Sequence, residues 1–200
     1  MKKETISKEL IGQLLKVKGE VRGVVFKTDE EYILKEKGKK GLVKLEERLQ
    51  KLGVPIRYEQ IKTMDFYPVG LRALSLLAIR EVFDFDDNEI RKMGLFATKM
   101  SLVIKLFVKY FLSLEKVFFE QGPKIWAKHW TTGKLIPSEL NKEKKYGILS
   151  VERFTLHPIF CLYLEGYFSG ILQMVIKSSK ITVTETKCIP GYHEYRLSWE

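Results

Sequence analysis

The stretch 180–199, KITVTETKCIPGYHEYRLSW, decides the fold class of this chain. Its first half alternates apolar and polar residues and is rich in threonine, a pattern typical of a β-strand. Pro190 and Gly191 suit the two central positions of a type II turn. After the turn, rings and aliphatic side chains fall on every second position, at His193, Tyr195, Leu197 and Trp199. The stretch therefore predicts a β-hairpin with one face packed against protein.

The layer beneath this hairpin is predicted by the preceding residues 154–176, FTLHPIFCLYLEGYFSGILQMVI. The segment is long enough to imitate a membrane span. However, a glutamate such as Glu165 costs about 2.5–3.5 kcal/mol at the centre of a bilayer, and His157–Pro158 interrupts the start of the segment. We therefore expect a buried central helix and no transmembrane segment.

The residues before position 154 predict a second hairpin and several helices. Residues 133–154 predict two strands around a polar loop, a second hairpin. Earlier segments have helical periodicity. Pro68 suits the first turn of one helix, and Gly53 suits the position directly after the last residue of another. The order of helices, hairpin, helix and hairpin predicts an α+β fold, in which a helical N-terminal region joins a small antiparallel sheet packed on a central apolar helix.

The chain of 200 residues is long enough for a substantial core. We divide it into a helical, basic N-terminal region, 1–62, and an α+β core of the ligand-binding type, 63–200. A single domain over 1–200 is the alternative.

The net charge is +10, and residues 1–62 contain 16 Lys or Arg against 10 Asp or Glu. A basic surface can bind nucleic acid or anionic lipid. Here the lysines are interspersed with glutamates, without the aromatic and basic repeats of many single-strand binders. We therefore favour a solubilising role for the lysines and do not expect a nucleic-acid partner.

Cys161 and Cys188 are the two cysteines, and the lack of a Cys-x-x-Cys pair excludes a zinc ribbon. The first residues, MKKETISKEL, lack the apolar segment of a signal peptide, so we expect a reducing, cytoplasmic location without a disulfide. Cys188 and His193 are close on the terminal hairpin, but two ligands without a third are weak evidence, and we expect no metal.

The sequence lacks the common phosphate-binding, zinc-protease and serine-nucleophile motifs, so no catalytic residue is predicted. Glu165 requires a polar partner, such as an arginine or a tyrosine hydroxyl, a place at the helix edge, or a role inside a ligand pocket. Gly166 and Gly170 indicate the close approach of another backbone, which could belong to a helix, to the sheet or to a second copy of the chain.

Three stretches, in order, resemble the 4-vinyl-reductase-like domain. They are MDFYPVGLRAL (64–74), GPKIWAKHWTTGKL (122–135) and TVTETKCIPGYHEYRLSW (182–199). That domain is similar in fold to haem–nitric-oxide sensor domains and to subunits of the TRAPP vesicle-tethering complex. The resemblance, over about residues 20–200, implies an apolar pocket enclosed by helices and a small sheet, often in a dimer. It also implies ligands such as aromatic compounds, porphyrin precursors or acyl chains.

The chain departs from these families at two places. The second cysteine of the closing signature is missing, and His193–Glu194 lies near its place, which weakens any metal or redox role for that pair. The Tyr-x-Ser-x-Arg motif of the haem sensors is also absent, because Tyr195–Ser198 has a different spacing. We therefore do not expect haem, or any other cofactor.

The sequence thus predicts a non-enzymatic module that binds or senses an apolar or aromatic small molecule, as a homodimer that signals through a partner protein. The alternatives are a basic scaffold that binds nucleic acid or anionic lipid through residues 35–62 and 142–145, and an enzyme of unknown reaction. The expected pocket lies between the 157–177 helix, the 93–112 helical region and the sheet. Its expected residues are Phe96, Met100, Phe107, Trp126, Phe160, Tyr163 and Tyr167, with Glu165 as a polar anchor.

Overall fold

The structure, a computed structural model, describes residues 5–100, 113–178 and 180–200. Within these ranges the helices are α1 (Lys8–Leu15), α2 (Val24–Lys51), α3 (Val69–Phe83), α4 (Asp87–Met100), α5 (Gly122–His129) and α6 (Ile159–Val175). The strands are β1 (Glu20–Arg22), β2 (Phe66–Pro68), β3 (Lys134–Asn141), β4 (Tyr146–Phe154), β5 (Ile181–Ile189) and β6 (Gly191–Trp199). A 3-10 turn at Tyr58–Gln60 and a π-helical turn at Lys116–Gln121 are also present. The predicted α+β fold is confirmed.

The two predicted hairpins form one antiparallel sheet with the strand order β3-β4-β6-β5. The last hairpin turns at Pro190–Gly191, where Gly191 has a φ of 80° that favours glycine. Strands β4 and β6 lie in the middle of the sheet and carry its buried residues, among them Val151, Tyr195 and Leu197.

Strand β5 contains a β-bulge close to this turn. Glu185 pairs with Tyr195 and Lys187 pairs with Glu194, so Thr186 is an extra residue. In a regular strand, side chains three positions apart point to opposite faces. The bulge changes this, because directly paired residues share a face: Glu185 lies beside Tyr195, and Cys188 lies beside His193.

Helix α6 lies between the sheet and α4, as the apolar segment predicted. Its contact with α4 is unusually close, because a Cβ atom on Gly166 would collide with the carbonyl oxygen of Arg91. Gly94 of α4 lies equally close to the carbonyl oxygen of Tyr163. Of the three explanations for Gly166 and Gly170, helix against helix is therefore the one observed.

None of the described helices has the length and apolar character needed to cross a membrane. Most of α6 is buried, including Phe160, Leu164 and Phe168.

The N-terminal region packs on the rest of the chain. The range of α2 holds two helical segments that meet at Gly38, whose φ of 68° is not helical. The separate patterns of residues 28–38 and 39–53 in the sequence predict this break. Strand β1 pairs with β2, and Val21 also bridges to Trp130. A single cluster of buried apolar residues runs from Ile6 through Leu45 to Leu197.

Helices α2 and α3 are joined inside this core by an ion pair. Arg72 contacts both carboxylate oxygens of Asp29, and both side chains are fully buried or nearly so. The Arg72 guanidinium also lies 4.9 Å from the ring centre of Tyr163, so the pair reaches α6.

Candidate functional site

An apolar cavity of about 120 Å³ lies between the start of α2, helices α5 and α6, and the sheet. Its wall is built from large side chains of each element, including Val25, Trp126, Trp130, Leu149, Leu172 and Leu197. Cavities of roughly 150 Å³ with similar aliphatic and aromatic walls stay dry and bind benzene. The volume therefore suits an apolar molecule of about one ring.

His129, at the end of α5, is among the polar residues at this cavity. Its Nδ1 lies 2.9 Å from the carbonyl oxygen of Ile125, so Nδ1 carries a hydrogen and Nε2 is an acceptor in the neutral ring. Burial lowers the pKa of His129, and the cations Arg22 and Lys128 lower it further, against the effect of the Ile125 hydrogen bond. The cavity therefore combines an apolar wall with a histidine that favours the neutral form.

The structure places three of the residues that the sequence indicated on the cavity wall: Trp126, Tyr163 and Tyr167. Trp126 stacks on Trp130 with 5.3 Å between ring centroids, and its Nε1 donates to the carbonyl oxygens of Thr132 and Gly133.

The other indicated residues lie elsewhere or outside the description. Phe96 packs edge to face on Tyr32, and Phe160 packs in the core against Phe154. Phe107 and the side chain of Met100 lie outside the described part of the chain.

Glu165 is occupied by protein partners. Its Oε2 accepts a hydrogen bond from Arg91 Nε at 2.6 Å, and its Oε1 accepts one from the backbone N–H of Glu185 at 2.8 Å. An arginine partner was one of the explanations that the sequence allowed. The carboxylate joins α4, α6 and β5 at the residue where the bulge begins.

A second site lies where α6 meets the terminal hairpin. Four side chains of metal-binding type converge there, with all four ligand atoms within 4.8 Å of one another: Cys161, Glu185, Cys188 and His193. We call these residues the tetrad. Cys161 and His193 are buried, Glu185 is half-buried and Cys188 is exposed, so an ion could enter from solvent.

Three of the distances within the tetrad are close to those of a tetrahedral zinc centre. A Zn–S bond of about 2.3 Å in tetrahedral geometry separates two sulfur atoms by about 3.8 Å. The Sγ atoms of Cys161 and Cys188 are 3.8 Å apart. The Nδ1 atom of His193 lies 3.4 Å from Cys161 Sγ and 3.0 Å from Glu185 Oε1.

The orientation of His193 gives independent support for a cation. Its Nε2 lies 3.0 Å from the carbonyl oxygen of Phe154, which can only accept a hydrogen bond. Nε2 therefore carries a hydrogen, and in the neutral ring Nδ1 presents a lone pair to the Glu185 carboxylate and to Cys161. A proton on Nδ1 would satisfy one of these contacts, whereas a divalent cation would satisfy the whole tetrad. A backbone carbonyl that fixes the ring in this way is typical of metal-binding histidines.

The charges of the tetrad depend on one another. Burial raises the pKa of the Cys161 thiol well above its usual range, and the Glu185 carboxylate raises it further. Burial also raises the pKa of Cys188. Burial acts to raise the pKa of Glu185, but hydrogen bonds from His193 and Cys161 outweigh it, and the pKa is lowered. The free thiols are thus protonated, and a metal ion would displace their protons.

Sequence reasoning found half of this tetrad. It placed Cys188 near His193 but not Cys161, because nothing in the sequence shows which face of α6 lies on the hairpin. It did not consider Glu185, and in a regular strand positions 185 and 188 would point to opposite faces. The bulge removes that objection, and the alternating pattern of β5 does not reveal it.

The resemblance to haem sensors raises the question of whether the size and the lining residues of the cavity fit a haem. His129 could supply an axial nitrogen. The described residues that line the cavity include no lysine or arginine to pair with the two haem carboxylates. A volume of about 120 Å³ is also close to that of cavities that hold one benzene ring, and a porphyrin is several times larger. The described residues do not fit a haem.

Comparison with known proteins gives a relationship at the level of fold. No protein-family model matches the sequence, and no curated protein matches it. An H-NOX protein from S. oneidensis in the Fe(II)NO ligation state is similar, with a TM-score of 0.62 and 13% identity over 90% of this chain and 99% of that one. An Fe(II) unliganded H-NOX protein from K. algicida has a TM-score of 0.59 and 12% identity over 90% and 96%. The expected likeness to haem–nitric-oxide sensor domains is confirmed for the architecture, and the chain has an H-NOX-like α+β fold.

Proposed function

We propose that this chain is a non-enzymatic module that binds or senses a small apolar or aromatic molecule in the cavity between α2, α5, α6 and the sheet. The observation that carries the proposal is the cavity itself, which has about the volume of one ring and an almost wholly apolar wall. Native cores contain few voids larger than a water molecule, so an apolar void of this size is a candidate binding site.

The elements around the cavity suggest how occupancy could be sensed. Helix α5 contributes Trp126 and Trp130, and α6 contributes Leu172 on another side. A ligand stabilises those arrangements of α5 and α6 in which the cavity is open to it, and so shifts their populations. The ring of Trp130 would report such a shift, because it packs on both Trp126 and Phe160.

The finer parts of the proposal follow from the resemblance described above. The resemblance to the 4-vinyl-reductase-like domain, which is similar in fold to TRAPP subunits, supports a homodimer that acts through a partner protein. The mass of the native protein, measured by analytical ultracentrifugation at several concentrations, tests the dimer.

A thermal-shift titration with toluene or phenol tests the cavity. We expect a rise in Tm that grows with ligand concentration, because a ligand that binds only the folded state stabilises it by mass action. Ala97→Leu adds side-chain volume at the cavity wall and should abolish the shift. Gln173→Leu, on an exposed position of α6, is the matched control and should respond like the wild type. A wild-type Tm that no single-ring compound changes, together with no ligand mass in native mass spectra, would contradict the proposal.

A second proposal concerns the tetrad: it binds a zinc ion that fastens the terminal hairpin to α6. Two sulfur ligands with one imidazole and one carboxylate suit zinc, and four protein ligands leave no open position for catalysis. The ion would join Cys161 of the helix to three residues of β5 and β6. Its role is therefore structural.

Metal content and stability test the zinc proposal together. We expect about one zinc per chain after refolding with zinc, and a lower Tm after dialysis against a chelator. Glu185→Gln should weaken zinc binding, whereas Glu194→Gln, a neighbouring carboxylate outside the tetrad, should not. If the chelator leaves Tm unchanged and no metal is found, the tetrad is an ordinary histidine–carboxylate pair beside two thiols.

A further inference from the structure

We infer that the Tyr195 hydroxyl donates a hydrogen bond to the Cys161 sulfur when zinc occupies the tetrad, and so positions that ligand and strengthens the binding of the ion. The inference rests on the zinc proposal made above. It assigns a role to a residue outside the tetrad.

Tyr195 is unusual because its polar atom is buried without a partner. The side chain is fully buried, and its hydroxyl has no hydrogen-bond partner among the described residues. A buried polar group left in this state costs about 1–3 kcal/mol, so native proteins rarely retain one without a reason. An acceptor that becomes strong only when an ion is bound would be such a reason.

The position of Tyr195 points to the tetrad. It lies two residues after His193 on β6, on the same face, and pairs directly with Glu185 across the sheet. Its ring packs on Phe168 of α6 with 5.1 Å between centroids. Phe168 follows Cys161 by seven positions, so the two side chains share one side of the helix.

The electrostatic neighbours of the hydroxyl agree with this placement. The groups that act electrostatically on the hydroxyl are Cys161, Glu185 and Glu165. A tyrosine hydroxyl can donate a hydrogen bond, so it is available to one of these groups.

Among these neighbours, Cys161 is the best acceptor for the hydroxyl. The two oxygens of Glu165 already accept from Arg91 and from the backbone of Glu185. The Glu185 oxygen that lies 3.0 Å from His193 Nδ1 would be bound to the ion. The Cys161 sulfur is a weak acceptor as a thiol, but zinc converts it to a thiolate, which accepts strongly.

The variant that tests the inference is Tyr195→Phe, which removes only the oxygen. Zinc affinity, measured by competition with a chromophoric chelator, should fall about 10- to 100-fold, as for other partners of metal ligands. Tyr58→Phe is the matched control, because Tyr58 is also fully buried but its hydroxyl bonds to Ser75. Its zinc affinity should equal that of the wild type.

Cobalt(II) provides a readout that a loss of packing would not produce. A hydrogen bond to a thiolate lowers the energy of the sulfur electrons, so its loss should move the sulfur-to-cobalt charge-transfer band to longer wavelength in Tyr195→Phe alone. An unchanged band and an unchanged affinity would overturn the inference.

A second measurement uses the wild type and does not depend on the folding of the variant. Zinc loading should change the tyrosine ultraviolet spectrum, because the Tyr195 hydroxyl acquires an acceptor. A silent tyrosine spectrum on full loading overturns the inference. Failure of the wild type to bind zinc or cobalt is a different result, since it removes the zinc site itself.

Discussion

Glu165 shows how one residue can connect three elements. Its carboxylate accepts hydrogen bonds from Arg91 on α4 and from the backbone of Glu185 on β5, while the residue itself belongs to α6. The sequence indicated that a charge inside an apolar helix needs a partner. It could not identify Arg91, which lies 74 positions away, because the closeness of α4 and α6 is a property of the folded chain.

Replacing this carboxylate should measure the strength of the connection. We expect Glu165→Gln to lower the free energy of unfolding by about 1–3 kcal/mol, because the amide cannot satisfy the arginine and the backbone N–H equally well. Urea unfolding checks this, with Glu59→Gln on an exposed position as the control. A loss equal to that of the control would show that the carboxylate contributes nothing to stability.

His129 predicts a dependence of stability on pH. Burial and the cations Arg22 and Lys128 lower its pKa in the folded chain below the ordinary value of 6.5. The unfolded chain therefore binds the proton more readily, and the contribution of His129 to stability is lost as the pH falls below about 6.5.

His129→Asn should remove this contribution. Its Tm should fall less steeply than that of the wild type between pH 7 and pH 5, and the two curves should run parallel above pH 7. Differential scanning calorimetry across this range provides the measurement. Parallel curves at all pH values would mean that His129 titrates alike in both states.

At the scale of elements, the packing of α4 on α6 depends on glycine. The Gly-x-x-x-Gly pattern of α6 predicted a close approach but left the partner open. The structure supplies the partner, and Gly94 on α4 faces Tyr163 as Gly166 faces Arg91. Backbones in such contact leave no space for a methyl group.

Two alanine variants should therefore have opposite effects. Gly166→Ala should destabilise the chain by about 1–3 kcal/mol or more, because its Cβ atom would overlap the Arg91 carbonyl oxygen. Gly12→Ala in α1, where nothing lies within 4 Å, should stabilise it by roughly 0.5–1 kcal/mol. Chemical denaturation of both variants checks this, and a neutral Gly166→Ala would show that α4 and α6 can separate freely.

The elements differ in how far the sequence predicted them. The two hairpins and α6 were predicted because each has a strong period, of two or of 3.6 residues. Strands β1 and β2 were missed because each has three residues, too few to show a period. The break in α2 at Gly38 was also predicted, because this glycine closes the pattern of residues 28–38 before that of residues 39–53 begins.

At the scale of the whole molecule, the buried cluster crosses the boundary drawn at residue 62. It includes Leu45 and Tyr58 on one side and Leu74 and Phe160 on the other. The sequence allowed either two regions or one domain. It could not decide between them, because the apolar face of a helix does not reveal what covers it. For the same reason it could not separate cavity-lining aromatic residues such as Trp126 from core residues such as Phe160.

We propose that the chain unfolds as one cooperative unit. Tryptophan fluorescence reports on Trp126 and Trp130 near the cavity and on Trp199 at the end of β6. It should give the same midpoint as far-ultraviolet circular dichroism, which is dominated by the helices. The comparison is best made at fixed zinc concentration, because a bound ion would shift the midpoint of both. Two separate transitions would instead support a boundary near residue 62.

The bulge at Thr186 bears on how strand-borne metal motifs are recognised in other sequences. Two ligands on one regular strand are separated by an even number of positions, and a search for such motifs looks for even spacings. Glu185 and Cys188 are separated by three. An odd spacing between two ligands on one strand therefore indicates an inserted residue. It allows a β-bulge to be inferred from the sequence alone.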